Sequence, residues 1–284
     1  MGGWVIALLV LHCCLNHISL ADQMQTRCPQ YCNCTATVLQ CQGGYELDDV
    51  DLRLIPRTVH KITISDFSIR ELGYNHFRWF ASTLQFLAVT KSRTRTITGQ
   101  ALVGLTQLTT LNLNDNHIAE IPSNLFTDLS KLETLDLSQN LIDHINSDAF
   151  QNLTSSLRWL SLRHNRIRLL QPELFDSLTH LEHLDLSQNE LAYILPRTFA
   201  SLSRVRFIDI SDNLLVTIHE DLFKSVNETT LTHLAVQRNP LECNCGLVWL
   251  REAQLGKNPS IKLVNSSQVL LQFPHIREIF VVIW

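Results

Sequence analysis

The sequence predicts an α/β-type solenoid shaped as a horseshoe, with a parallel sheet along its concave face. Three observations predict it. An apolar frame, LxxLxLxxNxIxxIxxxxFxxL, returns about every 24 residues through most of the 284-residue chain. Inside each copy the LxL core alternates apolar and polar residues with period two, the signature of a strand with one buried face. A single strand of this kind cannot bury its leucines alone, but successive copies stacked side by side share one continuous core. Finally, cysteines lie only toward the two ends, as covers for the open ends of such a stack would require.

The chain begins with an apolar run, WVIALLVLHCCL, followed by HISLADQ, with small residues at Ser19 and Ala21. This reads as a secretory signal peptide over residues 1–21, and its apolar run, residues 4–15, is shorter than the roughly 20 apolar residues a spanning helix needs. A membrane anchor is the competing reading. The remote tail carries only IFVVIW as an apolar run, too short for a span or a lipid-anchor signal. Four acceptor sequons, at Asn33, Asn152, Asn227 and Asn265, agree with a secreted, extracellular protein. The net charge of −4 is too mild to point to nucleic acid or an anionic membrane.

The repeats are legible one by one. LTTLNLNDNHIAEIPSNLFTDL is followed by LETLDLSQNLIDHINSDAFQNL, LRWLSLRHNRIRLLQPELFDSL and LEHLDLSQNELAYILPRTFASL. The Asn slot falls at Asn116, Asn140, Asn165, Asn189, Asn213 and Asn239, spaced 24, 25, 24, 24 and 26 residues apart. Two earlier copies keep the apolar frame but place Phe67 and Ser92 in that slot, which makes eight units over residues 59–238. These first two are expected to be less regular. Asn carries two donors and an acceptor, so a buried ladder of them can satisfy turn backbone that stacking removes from water. A simple turn former would also account for it. Phe77, Phe126, Phe150, Phe175, Phe199 and Phe223 follow the slot by ten residues, with Leu102 in the second unit, and read as a buried convex spine rather than a ligand groove.

On these motifs the chain resembles the extracellular leucine-rich repeat family in its 24-residue form, of the Slit-like and Toll-like ectodomain type. CPQYCNCTATVLQC, spaced C-x3-C-x-C-x6-C, is similar to that family's cysteine-rich amino-terminal cap. Spacing alone allows three pairings, and a zinc site is the rival; the resemblance implies Cys28–Cys34 and Cys32–Cys41. NPLECNCGLVWLREAQ resembles the opening of the carboxy-terminal cap, with a short helix from Leu247 over the open core. The family's two further cysteines are missing, so Cys243 and Cys245 are unpaired or partner-seeking. An incomplete or alternatively spliced form is the preferred reading; the others are a bridge to a second chain, and thiols that stay free or form a strained bridge with each other. The organisation expected is a signal peptide at 1–21, a cap at 22–58, eight repeats at 59–238 and an incomplete cap at 239–284.

No GxSxG, Walker loop, HExxH or GxGxxG occurs, and neither catalysis nor a cofactor is expected. His180 and His183 in HLEH flank a strand start rather than share a helix face, so a metal is not expected there. Binding remains. The x positions of LxxLxLxxN face the concave side, and there Glu133, Asp136, Arg158, Trp159, Arg163, His164, Glu182, His183, Asp185, Arg206, Phe207 and Asp209 form a mixed field. Exposed aromatics beside arginine are the composition of interface hot spots; rings leaning on neighbouring strands and solvated charges are the bland alternatives. The expected function is an extracellular protein-binding module, a receptor or adhesion ectodomain. The alternative is a freely secreted matrix protein with an organising role. A disulfide-linked or concave-face dimer stays open.

Overall fold

The computed structural model describes residues 28–44, 52–74, 76–223, 231–242, 245–256, 262–264 and 271–272. The expected signal peptide, Asn227, Asn265, Cys243 and the side chain of Cys245 lie outside those residues.

Eight parallel strands, one per repeat, run in sequence order through a single sheet. Their spans are Lys61–Ser65 (β3), Phe86–Thr90 (β5), Thr110–Asn112 (β7), Thr134–Asp136 (β8), Trp159–Ser161 (β9), His183–Asp185 (β10), Phe207–Asp209 (β11) and His233–Ala235 (β12). Before them come Cys32–Cys34 (β1) and Val38–Gln42 (β2); β1 is antiparallel to β2, which joins β3 in parallel. Two short side strands, Glu71–Leu72 (β4) and Thr96–Ile97 (β6), pair beyond the sheet of the first two repeats. Each LxL leucine is buried, as Leu135, Leu137, Leu160, Leu162, Leu184 and Leu186 show; of the residues between, Asp136 and Asp185 are partly exposed and the small Ser161 is buried.

The spine forms as the frame demands. Phe77, Phe126, Phe150, Phe175 and Phe199 are at most 1% exposed. Phe126 stacks on Phe150, Phe175 tilts against Phe199, and Phe199 stacks on Phe223. The ladder forms as well. Asn140 accepts the Ile118 amide at Oδ1 and donates from Nδ2 to the carbonyls of Leu113, Leu137 and Ser138. Asn165, Asn189, Asn213 and Asn239 repeat the pattern one turn further on each time. Asn116 accepts two backbone amides, of Ser92 and Thr94, and the serine side chain at 92 carries the ladder no further toward the amino terminus.

One regularity has no counterpart in the apolar frame. The residue before the slot has positive φ in every repeat: Asp66, Lys91, Asp115, Gln139, His164, Gln188, Asp212 and Arg238, between 51° and 60°. None is glycine, and left-handed backbone costs an ordinary residue about 1–2 kcal/mol. The turn is held because its N–H is used: Gln139, His164 and Gln188 donate to the carbonyls of Arg163, Ser187 and Ser211 in the following repeat.

The ends are covered. Cys28 is bonded to Cys34 and Cys32 to Cys41, fixing β1 onto β2. At the other end the helix α1, Val248–Gln254, buries Trp249, Leu250 and Ala253. The Trp249 ring lies 5.6 Å from Phe223, closing the spine, and its indole N–H donates to the Ile218 carbonyl. Leu241–Glu242 (β13), Lys262–Leu263 (β14) and Leu271–Gln272 (β15) complete the fold: β14 extends the sheet beside β12, and β15 pairs with β13. The cysteine-free tail therefore supplies two strands of cover. Among the described residues no helix is long and apolar enough to cross a membrane.

Candidate binding face on the parallel sheet

The register of the sheet converts the repeat into rows. Third-position residues align as Lys61, Phe86, Thr110, Thr134, Trp159, His183, Phe207 and His233. Fifth-position residues align beside them, with Asp136, Ser161, Asp185 and Asp209 in one run. Glu133, Arg158, Glu182 and Arg206 occupy the second position of their repeats. Arg163 and His164 stand at the far rim, in the seventh and eighth positions. All twelve sequence-predicted residues thus fall on one sheet surface, and each is partly or fully exposed.

Adjacent strands lie about 4.8 Å apart, so flat side chains in one row meet face to face. The His183 ring lies 4.4 Å from Phe207 at an interplanar angle of 4°, and 5.6 Å from Trp159 at 18°. Burial inside this stack holds the His183 imidazole below its ordinary pKa, partly opposed by the charge of Asp185. His180, by contrast, faces the Thr154 carbonyl in the preceding repeat. The two histidines of HLEH point to different partners, and among the described residues no three His, Cys, Asp or Glu side chains gather as a metal site.

The charges are partly ordered. Arg158 pairs with Glu182 at 2.6 Å, and Arg163 Nε donates to Gln188 Oε1, which also contacts the His164 ring. The carboxylates are less free than a field of solvated charges would be. Asp136, Asp185 and Asp209 each accept the amide of the serine two residues on, and Asp185 and Asp209 also accept that serine's hydroxyl. They cap the strand exit as well as facing the concavity. Burial raises the pKa of Asp209, with the Ser211 hydrogen bonds as the main opposing influence. The sequence reading left out Thr134, His233, Gln188 and the Arg238–Asp212 ion pair. Position in the frame would have found all of them. Of the sequons, Asn33 and Asn152 are exposed.

A leucine rich repeat family model matches residues 106–166 and 155–215. No curated protein matches the chain. Among solved structures, TLR13 in its complex with ssRNA13 is 24% identical, with a TM-score of 0.67 over 73% of this chain and 29% of that one. Toll, in the Drosophila Toll–Spatzle complex, is 23% identical, with a TM-score of 0.62 over 78% of this chain and 35% of that one. Human 5T4 (Wnt-activated inhibitory factor 1, trophoblast glycoprotein) is 20% identical, with a TM-score of 0.70 over 87% of this chain and 92% of that one. The chain thus spans about a third of the length of the first two and nearly all of the third. At these identities the likeness is one of fold.

Proposed function

On the premise that the chain is a leucine-rich repeat protein, we propose that it is an extracellular protein-binding module, the ligand-binding or adhesion ectodomain of a cell-surface receptor. Its work is recognition rather than catalysis, and it engages protein through the concave sheet. The observation that carries this reading is the Trp159–His183–Phe207 stack, three partly exposed rings in one row beside the Arg158–Glu182 pair. Rigid aromatic surface next to arginine is what protein-interface hot spots are built from. The stack is pre-ordered by its own ring contacts, so a partner loses little side-chain freedom on docking. The Toll–Spatzle complex shows that a protein of this fold can belong to a protein–ligand assembly.

The test is binding of the secreted chain, fused to an antibody Fc, to cells that display its partner. Trp159→Ala with Phe207→Ala is expected to abolish staining, while Gln151→Lys, in the outer turn after Phe150, leaves it intact. Undiminished staining by the double variant overturns the concave site. Surface biotinylation against recovery from the medium separates a receptor ectodomain from a freely secreted matrix protein.

A further inference from the structure

We propose that the concave face contains a socket for one basic side chain, an arginine or lysine of the protein partner, seated on the free face of Trp159 between Glu133 and Asp136. This deepens the concave-binding reading and rests on it.

Trp159 ends the aromatic stack. One face of its indole lies against His183; the other looks toward Thr134, its register partner on β8, and beyond it Thr110 on β7. The row therefore drops from an indole to two small side chains, leaving a step with an aromatic wall. Among the described residues no ring or cation covers that wall. Trp159 remains partly exposed, as does Thr134.

Two carboxylates flank the step. Glu133 is exposed and makes no ion pair with a described residue. The cation beside it in the same row, Arg158, turns the other way, onto Glu182. Asp136 is partly exposed and accepts the Ser138 amide at Oδ1, leaving Oδ2 without a hydrogen bond to any described residue. The concave positions of these two repeats, from Thr109 to Asp115 and from Glu133 to Gln139, contain no Lys or Arg. Lys131, the nearest in sequence, is bonded to Gln107 at 2.6 Å. The result is an unneutralised acidic stretch ending at an open indole face, to which a desolvated cation is attracted by both charge and ring quadrupole.

The molecule supplies its own precedent for the geometry. Lys61 and Phe86 are register partners in this same row, and the Lys61 ammonium lies 4.6 Å from the Phe86 ring centroid. Thr134 stands to Trp159 as Lys61 stands to Phe86. A cation at that place covers the ring; here the chain provides threonine, and the cation comes from outside.

Calorimetric titration of the full chain with acetylated tetra-arginine amide tests the socket, with tetra-glutamate amide as the control. Tetra-arginine is expected to bind and tetra-glutamate is not. Thr134→Lys fills the socket from within, and is expected to weaken tetra-arginine roughly tenfold, as is Glu133→Gln combined with Asp136→Asn. Asn at 136 keeps the acceptor for Ser138, so the fold is retained, as an unchanged circular dichroism spectrum should show. Gln151→Lys, which adds the same charge on the outer side, is expected to bind as the unaltered chain does. No binding of tetra-arginine, no weakening by either socket variant, or equal weakening by Thr134→Lys and Gln151→Lys overturns the proposal. Cell staining separates the two readings. If Thr134→Lys stains normally while Trp159→Ala with Phe207→Ala does not, the concave site stands and the socket falls. If both stain normally, the concave site itself is overturned.

Discussion

The first two repeats and the six after them fill the same buried slot by opposite means. From Asn116 onward an amide side chain occupies it, linking each turn to its predecessor through backbone hydrogen bonds. In the first repeat the slot holds Phe67, 2% exposed, packed against Gly44 so closely that a Cβ at Gly44 would overlap the ring. Ser92, between them, is fully buried, and its hydroxyl bonds only the Thr90 carbonyl, two residues back. The early strands β3 and β5 are five residues long against three in the later repeats. Longer ladders replace the backbone links that the missing amides would have made. The expected irregularity of these two repeats is therefore a change in what couples the turns, from hydrogen bonds to sheet length and shape.

The largest effect that can break this comparison is at the middle of the ladder. Asn165→Ala strands the Ile142 amide and removes donors from the carbonyls of Leu137, Leu162 and Arg163. Each buried group left without a partner costs about 1–3 kcal/mol, so a loss of about 3 kcal/mol or more is expected. Ser92→Ala loses a single hydrogen bond, about 1 kcal/mol. Urea denaturation of the two variants measures both. Equal losses would mean that the slot is not polar by necessity in the later repeats.

The junction with the amino-terminal cap should respond to shape instead. Gly44→Ala forces a methyl group into the Phe67 ring, and overpacking of this kind costs about 1–3 kcal/mol. Phe67→Leu in the same chain removes the overlapping ring atoms and is expected to recover part of that loss. Thermal melting of the two single variants and the double variant completes the cycle. Additive losses would show that Gly44 and Phe67 do not couple, and that the cap is held to the repeats by its strands alone.

Much of this was legible in the sequence because repetition carries it. The Asn ladder, the Phe spine and the strand of each repeat recur at fixed positions, so each copy confirms the others. The left-handed turn before the slot was not legible. It is filled by Asp, Lys, Gln, His and Arg, and no residue type marks it; its cause is a hydrogen bond to the next repeat. The face was half legible. Trp159, His183 and Phe207 share one frame position, which fixes their row, but how closely the rings approach is a matter of rotamers. Nor does the frame say that Arg158 leans toward Glu182 rather than Glu133, although that choice leaves one carboxylate open. Asp136, Asp185 and Asp209 looked like free surface because their serine partners, two residues on, lie outside the apolar pattern.

The smallest effect sharpens the contrast between the polar ladder, which does not titrate, and the binding face, which does. His183 is held below its ordinary pKa by burial, so the unfolded chain binds its proton more readily than the folded one. Its contribution is fully present above the unfolded value of about 6.5 and is lost as pH falls from there toward the folded pKa. Asp209 is shifted upward by burial, so the folded chain holds its proton more tightly. Its contribution is greatest below the unfolded value of about 3.9 and is lost as pH rises from there through the folded pKa. The two shifts thus oppose each other across the acidic range. Replacing His183 by Phe keeps a ring between Trp159 and Phe207 but removes the titrating group, and should flatten the decline in stability on acidification below 6.5. Asp209→Asn keeps the acceptor for Ser211 and removes the charge, so stability at neutral pH should hold or rise. Urea midpoints taken across the acidic range would show both slopes. An unchanged acid slope in His183→Phe would mean that the ring stack imposes no cost on the protonated imidazole, and that the face is more open to water than its geometry implies.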